Sequence, residues 1–507
     1  MCRLSTPAVS AVTPWGWGRD AGGPCMTSER TATRLNVGVG RANITPPIGV
    51  DLMGYSRRSQ PSTGVHMDMV ATALVASVGQ DTVAVLDCDL IYLHPPLIDE
   101  IRSGIAAFLG TRPSHVLVNC THSHSAPTSS PVKIGGEQDR VRPEEAAYIQ
   151  SLPHLLLSAV KQALAQRVPA RIAGGAGHVA LSMNRREKLP DGRTVLGDNA
   201  SGPIDHRLGI VRVDALDGHP LAAIVNYACH PICIGSSSRL ISPDYPGPMR
   251  RVVERETGAT CLFLQGATGN INPRSLMHPD PHEAERVGSL LGLEAAKTFL
   301  GLETRHMVTK EEWITSVATF HLVRQVEAPA PRPDRIAARE QVLSLPLSPL
   351  PDAEQARRLW EDRKAALESL VKKGASADDL NPARYQVMWT ELLQKTIADP
   401  ARATEVRVPV QVFHINDVAF VAIAGEIFVE IQLAIKEASP FPYTLVAGYS
   451  NGCVGYIPVA SAYPEGGYEV DHSFKGYRLP SAIAPGGAER VIQTATELLQ
   501  SLRQSRD

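Results

Sequence analysis

The order of apolar and polar residues between positions 36 and 326 alternates between two patterns. Short apolar runs predict buried strands at residues 70–75, 82–86, 116–118, 222–225 and 261–264. Between these runs, apolar residues recur every three to four positions over residues 96–108, 143–167 and 281–300, and this spacing predicts helices. Such alternation predicts an α/β (mixed α+β) fold: one large domain, residues 36–487, around a buried sheet.

The pattern changes over residues 327–400. This stretch begins rich in Pro and Ala, becomes charged and helix-like, and is interpreted as a helical insertion that covers a face of the main domain. A solvated linker helix without a function explains the same composition equally well. Residues 408–413 and 418–423 then predict a hairpin, with Pro409 at an edge or a strand start. A closing C-terminal helix is predicted within residues 488–507, where the amphipathic pattern begins at residue 487.

Composition narrows the function classes. The 507 residues are 43% hydrophobic, enough for one large core, and the net charge of −2 gives no general attraction to nucleic acid. No apolar run of about 18 residues predicts a transmembrane segment. Residues 1–35 are expected to be a disordered extension without a secretion signal, with Met26 as an alternative start. Eight scattered cysteines are typical of reduced thiols, so a cytoplasmic protein of open oligomeric state is expected.

Two histidines follow the predicted strand 116–118. They are His122 and His124 in residues 119–127 (NCTHSHSAP). Functional groups collect where a rigid strand opens into a loop, and His is the commonest metal ligand. An H-x-H pair alone is weak evidence for a metal site, because histidines with purely structural roles are common. His230 follows the strand 222–225 in the same way, and Cys229 beside it is interpreted as a small core residue.

An acidic residue and several phenols add to this set. Glu426 lies between Gly425 and an apolar run, where a carboxylate is costly to bury unless it is paired or binds a metal. A glutamate at a helix start, favoured by the helix dipole, is an equal alternative. Residues 448–469 are rich in Gly and Tyr. A phenol can bind a metal or donate to an oxyanion, although aromatic packing explains each tyrosine singly.

Together these segments resemble the neutral, non-lysosomal ceramidase family, specifically its N-terminal catalytic domain, from about residue 37 to residue 487. The number and order of the matching segments make the resemblance specific. The segments are 40–47 (GRANITPP), 53–55 (MGY), 64–66 (GVH), 122–127 (HSHSAP, similar to the family's H-T-H-S-G-P), 183–185 (MNR), His230, 425–426 (GE) and 456–469 (similar to Y-[VI]-x-x-x-x-E-Y…Y-E-G).

The resemblance implies a Zn2+ ion held by His122, His230, Glu426 and a tyrosine. Tyr456 is the preferred fourth ligand and Tyr463 the alternative, and Cys453 stands near them where relatives often have an aromatic residue. Two imidazoles and a carboxylate make a zinc site with room for water, and zinc lowers the pKa of that water and polarises a carbonyl. The expected activity is hydrolysis of a linear non-peptide amide, a ceramide-like N-acyl compound, by zinc-bound water.

The resemblance also implies catalytic roles for residues that do not bind the metal. His124 is expected to face the substrate carbonyl or the attacking water, assisted by Arg185 and Tyr463. The family's G-D-x-S-P-N element, whose serine has been proposed as a nucleophile, corresponds to residues 269–274 (GNINPR), so Asn272 replaces that serine.

Three further residues are candidates for substrate binding. Gly269 and Asn270, together with Asn272, are predicted to bind substrate or the oxyanion. Ser242 is a possible substitute nucleophile, but no histidine partner is evident for it, so attack by water is preferred.

Two other functions stay open. The same site can act on an ester, a lactam or another small amide, or the chain can be a non-catalytic ligand-binding relative. No stretch remains for the family's C-terminal immunoglobulin-like domain, which casts doubt on ceramide itself as the substrate.

Overall fold

The computed structural model describes residues 34–129, 141–315, 317–330 and 332–504. The predicted disordered extension, residues 1–35, falls outside the described residues except at its last two positions.

The described strands are numbered in chain order. They are β1 Asn36–Asn43, β2 Gly64–Val65, β3 Val70–Val78, β4 Asp81–Cys88, β5 Val116–Cys120, β6 Val168–His178, β7 Ser182–Lys188, β8 Thr194–Asn199, β9 Arg207–Ala215, β10 Pro220–Tyr227, β11 Leu240–Ile241, β12 Thr260–Gln265, β13 Ile271–Pro273, β14 Met307–Thr315, β15 Thr319–Glu327, β16 Ile336–Pro346, β17 Glu405–Ile415, β18 Val418–Ile423, β19 Glu426–Ile427, β20 Tyr443–Ala447 and β21 Tyr456–Ile457.

The described α-helices are numbered in the same way. They are α1 Pro95–Leu109, α2 Pro143–Ala165, α3 Pro246–Thr257, α4 His282–Gly301, α5 Ala353–Lys372, α6 Ala377–Ala398, α7 Val429–Ala438, α8 Tyr468–Asp471 and α9 Gly487–Gln504. Short 3-10 helices lie at Pro113–His115, Ala460–Ala462 and Ser473–Tyr477.

Two sheets carry the fold. In the described residues the larger sheet has the strand order β12-β10-β9-β6-β1-β3-β4-β5, and the second has the order β16-β17-β18-β20. Most neighbours are antiparallel, but β4 and β5, β10 and β12, and β18 and β20 are parallel pairs. The carboxyl ends of such paired strands meet at one edge of a sheet, which places the loops that follow them side by side.

The sheets stack face to face and are covered by helices, which gives four layers. The core between the sheets joins residues such as Leu74 and Ile224 of the larger sheet to Phe413 and Phe420 of the second. Helices α1 and α2 pack on one half of the larger sheet's outer face, and α3 and α4 pack on the other half. Helices α7 and α9 cover the second sheet. The fold class is therefore α/β, as the sequence predicts.

The elements with strong periodicity are confirmed. All five predicted strands, the three predicted helices, the hairpin of β17 and β18 and the closing helix α9 are present. The region 327–400 differs in part, because the Pro/Ala-rich start contains β16, which pairs along its whole length with β17. Pro409 is not at an edge: it lies inside β17, at the position where pairing with β18 ends, so its missing N–H costs that ladder little.

The start of α6 binds the helical pair α5 and α6 to the rest of the protein. Arg57 donates to Asp379 at the start of α6, and Ser59 bonds to Asp378 beside it. Trp389 of α6 donates to the backbone oxygen of Leu479 at 2.9 Å. Helix α6 therefore contacts the loops around residues 57–59 and 479.

Among the described ranges, no helix combines the length and the apolar character needed to cross a lipid bilayer.

Candidate metal centre

Three strand ends from two sheets bring the candidate ligands together. His122 follows β5 and His230 follows β10 in the larger sheet, while Glu426 follows β18 in the second sheet. Asn119, the next-to-last residue of β5, links the sheets at this edge, because its side-chain amide donates a hydrogen bond to the backbone oxygen of Gly448 at 2.7 Å. Residues about 300 positions apart in sequence therefore meet because the two sheets stack in this register.

The rings of His122 and His230 are held in one orientation by backbone carbonyls. His122 Nδ1 lies 2.8 Å from the oxygen of Ile91, and His230 Nδ1 lies 2.8 Å from the oxygen of Thr268. A ring nitrogen that meets a carbonyl oxygen must donate, so the Nε2 lone pair of each neutral ring points to the centre. His122 also has φ of 66°, a left-handed conformation that is uncommon outside glycine and concentrates at functional sites.

Glu426 supplies a carboxylate to the same point. Its Oε2 lies 3.5 Å from Nε2 of His122 and 3.5 Å from Nε2 of His230, and the side chain is almost fully buried. Two phenols orient the carboxylate: Tyr449 donates to Oε2 at 3.0 Å, and Tyr477 donates to Oε1. The ring of Tyr449 also stacks on His122, with centroids 4.0 Å apart.

His124 is the third imidazole of the cluster. Its Nε2 lies 3.4 Å from Nε2 of His122, and its Nδ1 is buried with no hydrogen-bond partner in the described part of the chain. A Cβ at Gly54 would lie 2.5 Å from this ring, so only glycine fits there. Arg58 donates to the oxygen of His124 at 2.8 Å, and the edge of Tyr55 packs on the ring.

These atoms fit a zinc ion. One nitrogen from each of His122, His124 and His230 lies within 4.8 Å of the other two, and Glu426 Oε2 lies beside two of them. With zinc–ligand bonds of about 2.0–2.1 Å, tetrahedral ligands are about 3.3 Å apart, close to the 3.4 and 3.5 Å separations here. The Nδ1 bonds to backbone carbonyls are the outer contacts expected around metal-binding histidines. Two ligand sets fit these positions: the three histidines, or His122 and His230 with Glu426.

The protonation states suit a cation. Burial lowers the pKa of His122 to about 4 and lowers the pKa of His124 well below its usual value. Burial alone would raise the pKa of Glu426, but His122, His230 and the Tyr477 hydroxyl hold it below the usual range. Neutral imidazoles beside an ionised carboxylate are the forms that bind metals.

Arg185 lies one layer behind the cluster. Its Nε bonds to Glu469 at 2.8 Å, Nη1 to Asn272 at 3.2 Å and Nη2 to the Tyr456 hydroxyl at 3.0 Å. Arg185 and Asn272 are buried and do not line the cavity beside the histidines, whereas Tyr456 does. Asn272 contacts Arg185, and Arg185 reaches the cavity wall through its hydrogen bond to Tyr456, so the predicted roles of Arg185 and Asn272 in turnover stay predictions.

The two tyrosines predicted as fourth ligand lie in different places, and Tyr456, which lines the cavity, stays a prediction for that role. Tyr456 bonds to Arg185, and the hydroxyl of Tyr463 donates to a backbone oxygen near the C-terminal helix at 2.7 Å, away from the cavity. The phenols that reach Glu426 are those of Tyr449 and Tyr477. A glycine-rich run with several tyrosines does not reveal which phenol points inward, because that depends on the turns between them.

Gly269 and Asn270 hold helix α7 rather than line the cavity. The N–H of Gly269 donates to the oxygen of Ile427 at 2.9 Å. Asn270 accepts the N–H of Val429 at 2.9 Å and donates to Glu430 at 2.9 Å. Since their polar groups are engaged at the start of α7, the predicted substrate contacts of both residues are not found.

Ser242 has the histidine partner that the sequence did not reveal. His66 Nδ1 lies 2.9 Å from Ser242 Oγ, and His66 Nε2 lies 3.0 Å from Glu285. Ser242 has no exposed surface, accepts the N–H of Asp244 at 2.9 Å and does not line the cavity. The hydroxyl therefore has no route to a substrate, which argues against a serine nucleophile and against substrate binding by Ser242.

A cavity of about 900 Å³ opens beside the imidazoles. His122, His124 and Glu426 form part of its wall, and α6 contributes residues from 381 to 386 on another side. Sequence reasoning missed five residues that shape this site. Tyr55 lay in the matching segment 53–55, and Tyr449 and Glu469 lay in the Gly/Tyr-rich run, but no role was assigned to them. No motif indicated the other two, and the five are Tyr55, Arg58, Tyr449, Glu469 and Tyr477.

Fold and site together define an α/β protein of two stacked sheets with a candidate polyhistidine metal centre at a cavity. The chain is similar to the neutral/alkaline non-lysosomal ceramidase family: residues 35–270 match that family's N-terminal model, which confirms the resemblance noted in the sequence. The matched stretch contains all three clustered histidines and Arg185, while Glu426 lies beyond it.

Individual relatives agree with this assignment. The neutral ceramidase of Pseudomonas aeruginosa is 22% identical over 476 residues, which is 87% of this chain and 69% of that protein. The neutral ceramidase of Drosophila melanogaster is 27% identical over 249 residues, 43% of this chain and 32% of that protein. The chain thus spans about two thirds of the bacterial relative and a third of the fly relative.

Solved structures share the fold. The crystal structure of neutral ceramidase from Pseudomonas aeruginosa superimposes with a TM-score of 0.61 at 18% identity and covers 93% of this chain and 75% of that one. A ceramidase complexed with C2 gives a TM-score of 0.63 at 18% identity, over 93% of this chain and 76% of that one.

Proposed function

We propose that this chain is a zinc-dependent hydrolase of a non-peptide amide, with a ceramide-like N-acyl compound as substrate class. One observation carries the proposal: the three imidazole nitrogens and the Glu426 carboxylate converge in the wall of a large cavity at separations that suit tetrahedral zinc. Relatives named neutral ceramidases support the amide as the bond that is cleaved.

The proposed metal ligands are His122, His230 and Glu426. Their outer contacts, the two carbonyl oxygens and the two phenols, fix the ring and carboxylate orientations before any metal binds. When bound, zinc supplies an activated water and polarises the substrate carbonyl.

His124 is proposed to act on the substrate side of the centre. Arg58 and Gly54 hold its imidazole against the cavity, and its Nδ1 has no partner among the described residues. A ring nitrogen without a protein partner can accept a proton from the attacking water and pass it to the departing amine nitrogen. This assignment preserves the division predicted from the sequence, in which His122 holds metal and His124 serves turnover.

Tyr456 is proposed to donate to the carbonyl oxygen as negative charge develops there. Its hydroxyl oxygen accepts a hydrogen bond from Arg185, so its own proton remains available toward the cavity that it lines. A donor held in place before reaction is worth a large factor in rate because it needs no reorganisation. Arg185 is then a positioning residue, and Glu469 fixes it in turn.

The test combines metal analysis with a substrate panel. The purified protein is expected to contain about one zinc per chain, and a chelator is expected to abolish hydrolysis of N-acyl sphingosines, N-acyl amino acids or aryl amides. His66→Gln is the control variant, because it removes a histidine that lies away from the cavity and whose two ring nitrogens are hydrogen-bonded within the protein. It should retain metal.

The remaining outcomes separate the alternatives. Zinc with activity confined to esters or lactams would assign the same centre to another bond. Absence of zinc, with no effect of chelator on any activity, would sink the metallohydrolase proposal and favour a ligand-binding relative.

A further inference from the structure

Among the described residues, the charges in the cavity wall do not balance. Two carboxylates of this described wall line the cavity, and each is already paired: Asp51 with Arg142 at 2.7 Å, and Glu426 with the histidines and phenols. The three guanidinium groups that line it belong to Arg58, Arg407 and Arg478. Within the described part of the chain, none of the three has a carboxylate at ion-pair distance.

Arg58 is the innermost of these cations. It donates to the oxygens of Met53, His124 and Gly235 at 2.8–3.2 Å, and its Nε is buried without a partner among the described residues. All of its protein contacts are neutral carbonyls, apart from the face of Tyr55 at 4.9 Å. A half-buried positive charge without a counter-ion is costly, and an anion in the adjoining cavity would offset that cost.

Arg478 and Arg407 occupy the outer wall. Arg478 follows the 3-10 helix that carries Tyr477, and its φ of 57° turns the chain immediately after that residue. It lies near His94, whose pKa is lowered by burial and then by the charge of Arg478. Arg407 enters from β17, and both guanidinium groups are exposed to the cavity solvent.

The uncharged part of the wall is suited to a polar group beside an apolar chain. Six phenol-bearing residues line the cavity, and the aliphatic lining is divided among separate loops. The tyrosines are Tyr55, Tyr92, Tyr385, Tyr456, Tyr468 and Tyr477. Guanidinium groups only donate hydrogen bonds, whereas phenols donate and accept, so the described wall offers more donors than acceptors to a ligand.

We propose that the substrate is an anionic acyl amide, carrying a carboxylate near the scissile bond that Arg407 and Arg478 bind in the outer wall. This inference rests on the proposed hydrolase function and narrows its substrate class to N-acyl amino-acid-like compounds. Water oxygen bonds to the acyl carbon, the carbon–nitrogen bond breaks, and the amine nitrogen takes up a proton. Arginine suits the role because its planar fork matches a carboxylate in two parallel hydrogen bonds.

The test compares two probes that differ in one group. N-lauroylglycine carries a carboxylate where N-lauroylethanolamine carries a hydroxymethyl group, and the acyl chain is the same. The native enzyme is expected to hydrolyse the glycine compound with kcat/KM at least ~10-fold higher, because charge-assisted hydrogen bonds are about twice as strong as neutral ones. Rising salt should reduce that ratio, because exposed guanidinium groups are screened.

Variants locate the recognition. Arg478→Gln and Arg407→Gln should each reduce the selectivity ratio for the anionic probe by ~10-fold, while Arg112→Gln, an exposed arginine outside the cavity, should leave the ratio unchanged. Equilibrium binding of both probes is measured in parallel. Hydrolysis of the neutral probe at an equal or higher rate would overturn the anionic preference and leave the amide hydrolase standing. Tighter binding of the anionic probe without hydrolysis of either would instead overturn the proposed hydrolase function.

Discussion

Two side-chain groups in this protein have similar residue types and opposite properties. One is the candidate metal centre of His122, His124, His230 and Glu426. The other is the chain of hydrogen bonds from Ser242 through His66 to Glu285. Each combines imidazole with carboxylate, and each joins segments distant in sequence. Only the first lies in the wall of the cavity.

The second group has no unsatisfied atom to offer. Both ring nitrogens of His66 are bonded, Ser242 also accepts a backbone N–H from Asp244, and Glu285 also binds Arg251. It links the parallel pair of β2 and β11 to the start of α4. In the metal centre, by contrast, His124 Nδ1 lacks a partner, and the Nε2 atoms face one another. Chemistry therefore follows from unsatisfied atoms beside a cavity, and residue types alone do not reveal it.

The largest expected effect sharpens the division within the metal centre. His122→Ala should lose zinc and reduce kcat/KM by ~10³-fold or more, because one of the ligands disappears. His124→Ala should keep zinc and lose turnover by about 10²–10⁴-fold, the usual contribution of a general acid or base. Zinc content and steady-state kinetics on the same preparations check both. Equal zinc loss in the two variants would place His124 among the ligands.

An intermediate effect is expected at the phenol contacts of Glu426. Tyr477→Phe removes the donor to Oε1 and should weaken zinc binding by about 10–100-fold, as loss of an outer contact of a metal ligand usually does. Competition with a chromogenic chelator measures the affinity. Tyr463→Phe is the matched control, since its hydroxyl bonds to a backbone oxygen elsewhere. An affinity change that is the same in both variants would remove the special role of Tyr477.

The smallest effect on activity is expected in the second group. Ser242→Ala should leave zinc and turnover near normal, because the hydroxyl is buried outside the cavity. It should lower the free energy of unfolding by about 1–3 kcal/mol, since the His66 nitrogen and the Asp244 N–H lose their shared partner. Urea denaturation measures the change. Near-complete loss of turnover with zinc retained would restore a serine nucleophile and contradict the contrast drawn here.

The sequence predicts the strand ends well and their assembly poorly. Apolar runs before His122 and His230 mark buried strands, so the position of each histidine just after a strand end follows from the local pattern. The Pro/Ala-rich start of the insertion conceals β16, because pairing along β17 overrides local propensity. Stacking of a second sheet therefore escapes the sequence, and with it the approach of Glu426.

The tyrosines show the same limit at finer scale. Residues 448–469 predict an inward-pointing phenol, and Tyr449 does reach the carboxylate of Glu426. Tyr463 turns outward, however, and Tyr477, beyond the run, supplies the second phenol. The left-handed conformations of Tyr449 and Asn451 redirect the chain within that run. Side-chain direction after such turns depends on backbone angles that composition does not encode. The sequence likewise does not predict that Arg58, Arg407 and Arg478 line one cavity, because the three residues are far apart along the chain.

The position of the centre at the junction of the two sheets has a consequence for dissecting the protein. The imidazoles come from the first half of the chain, within the stretch 35–270, and the carboxylate comes from residue 426 on the other sheet. A fragment ending anywhere between these segments would retain all three clustered histidines and lack the carboxylate of Glu426, whose negative charge balances a divalent cation. The complete centre therefore forms only when these two parts of the polypeptide, which are remote in sequence, pack together in the correct register.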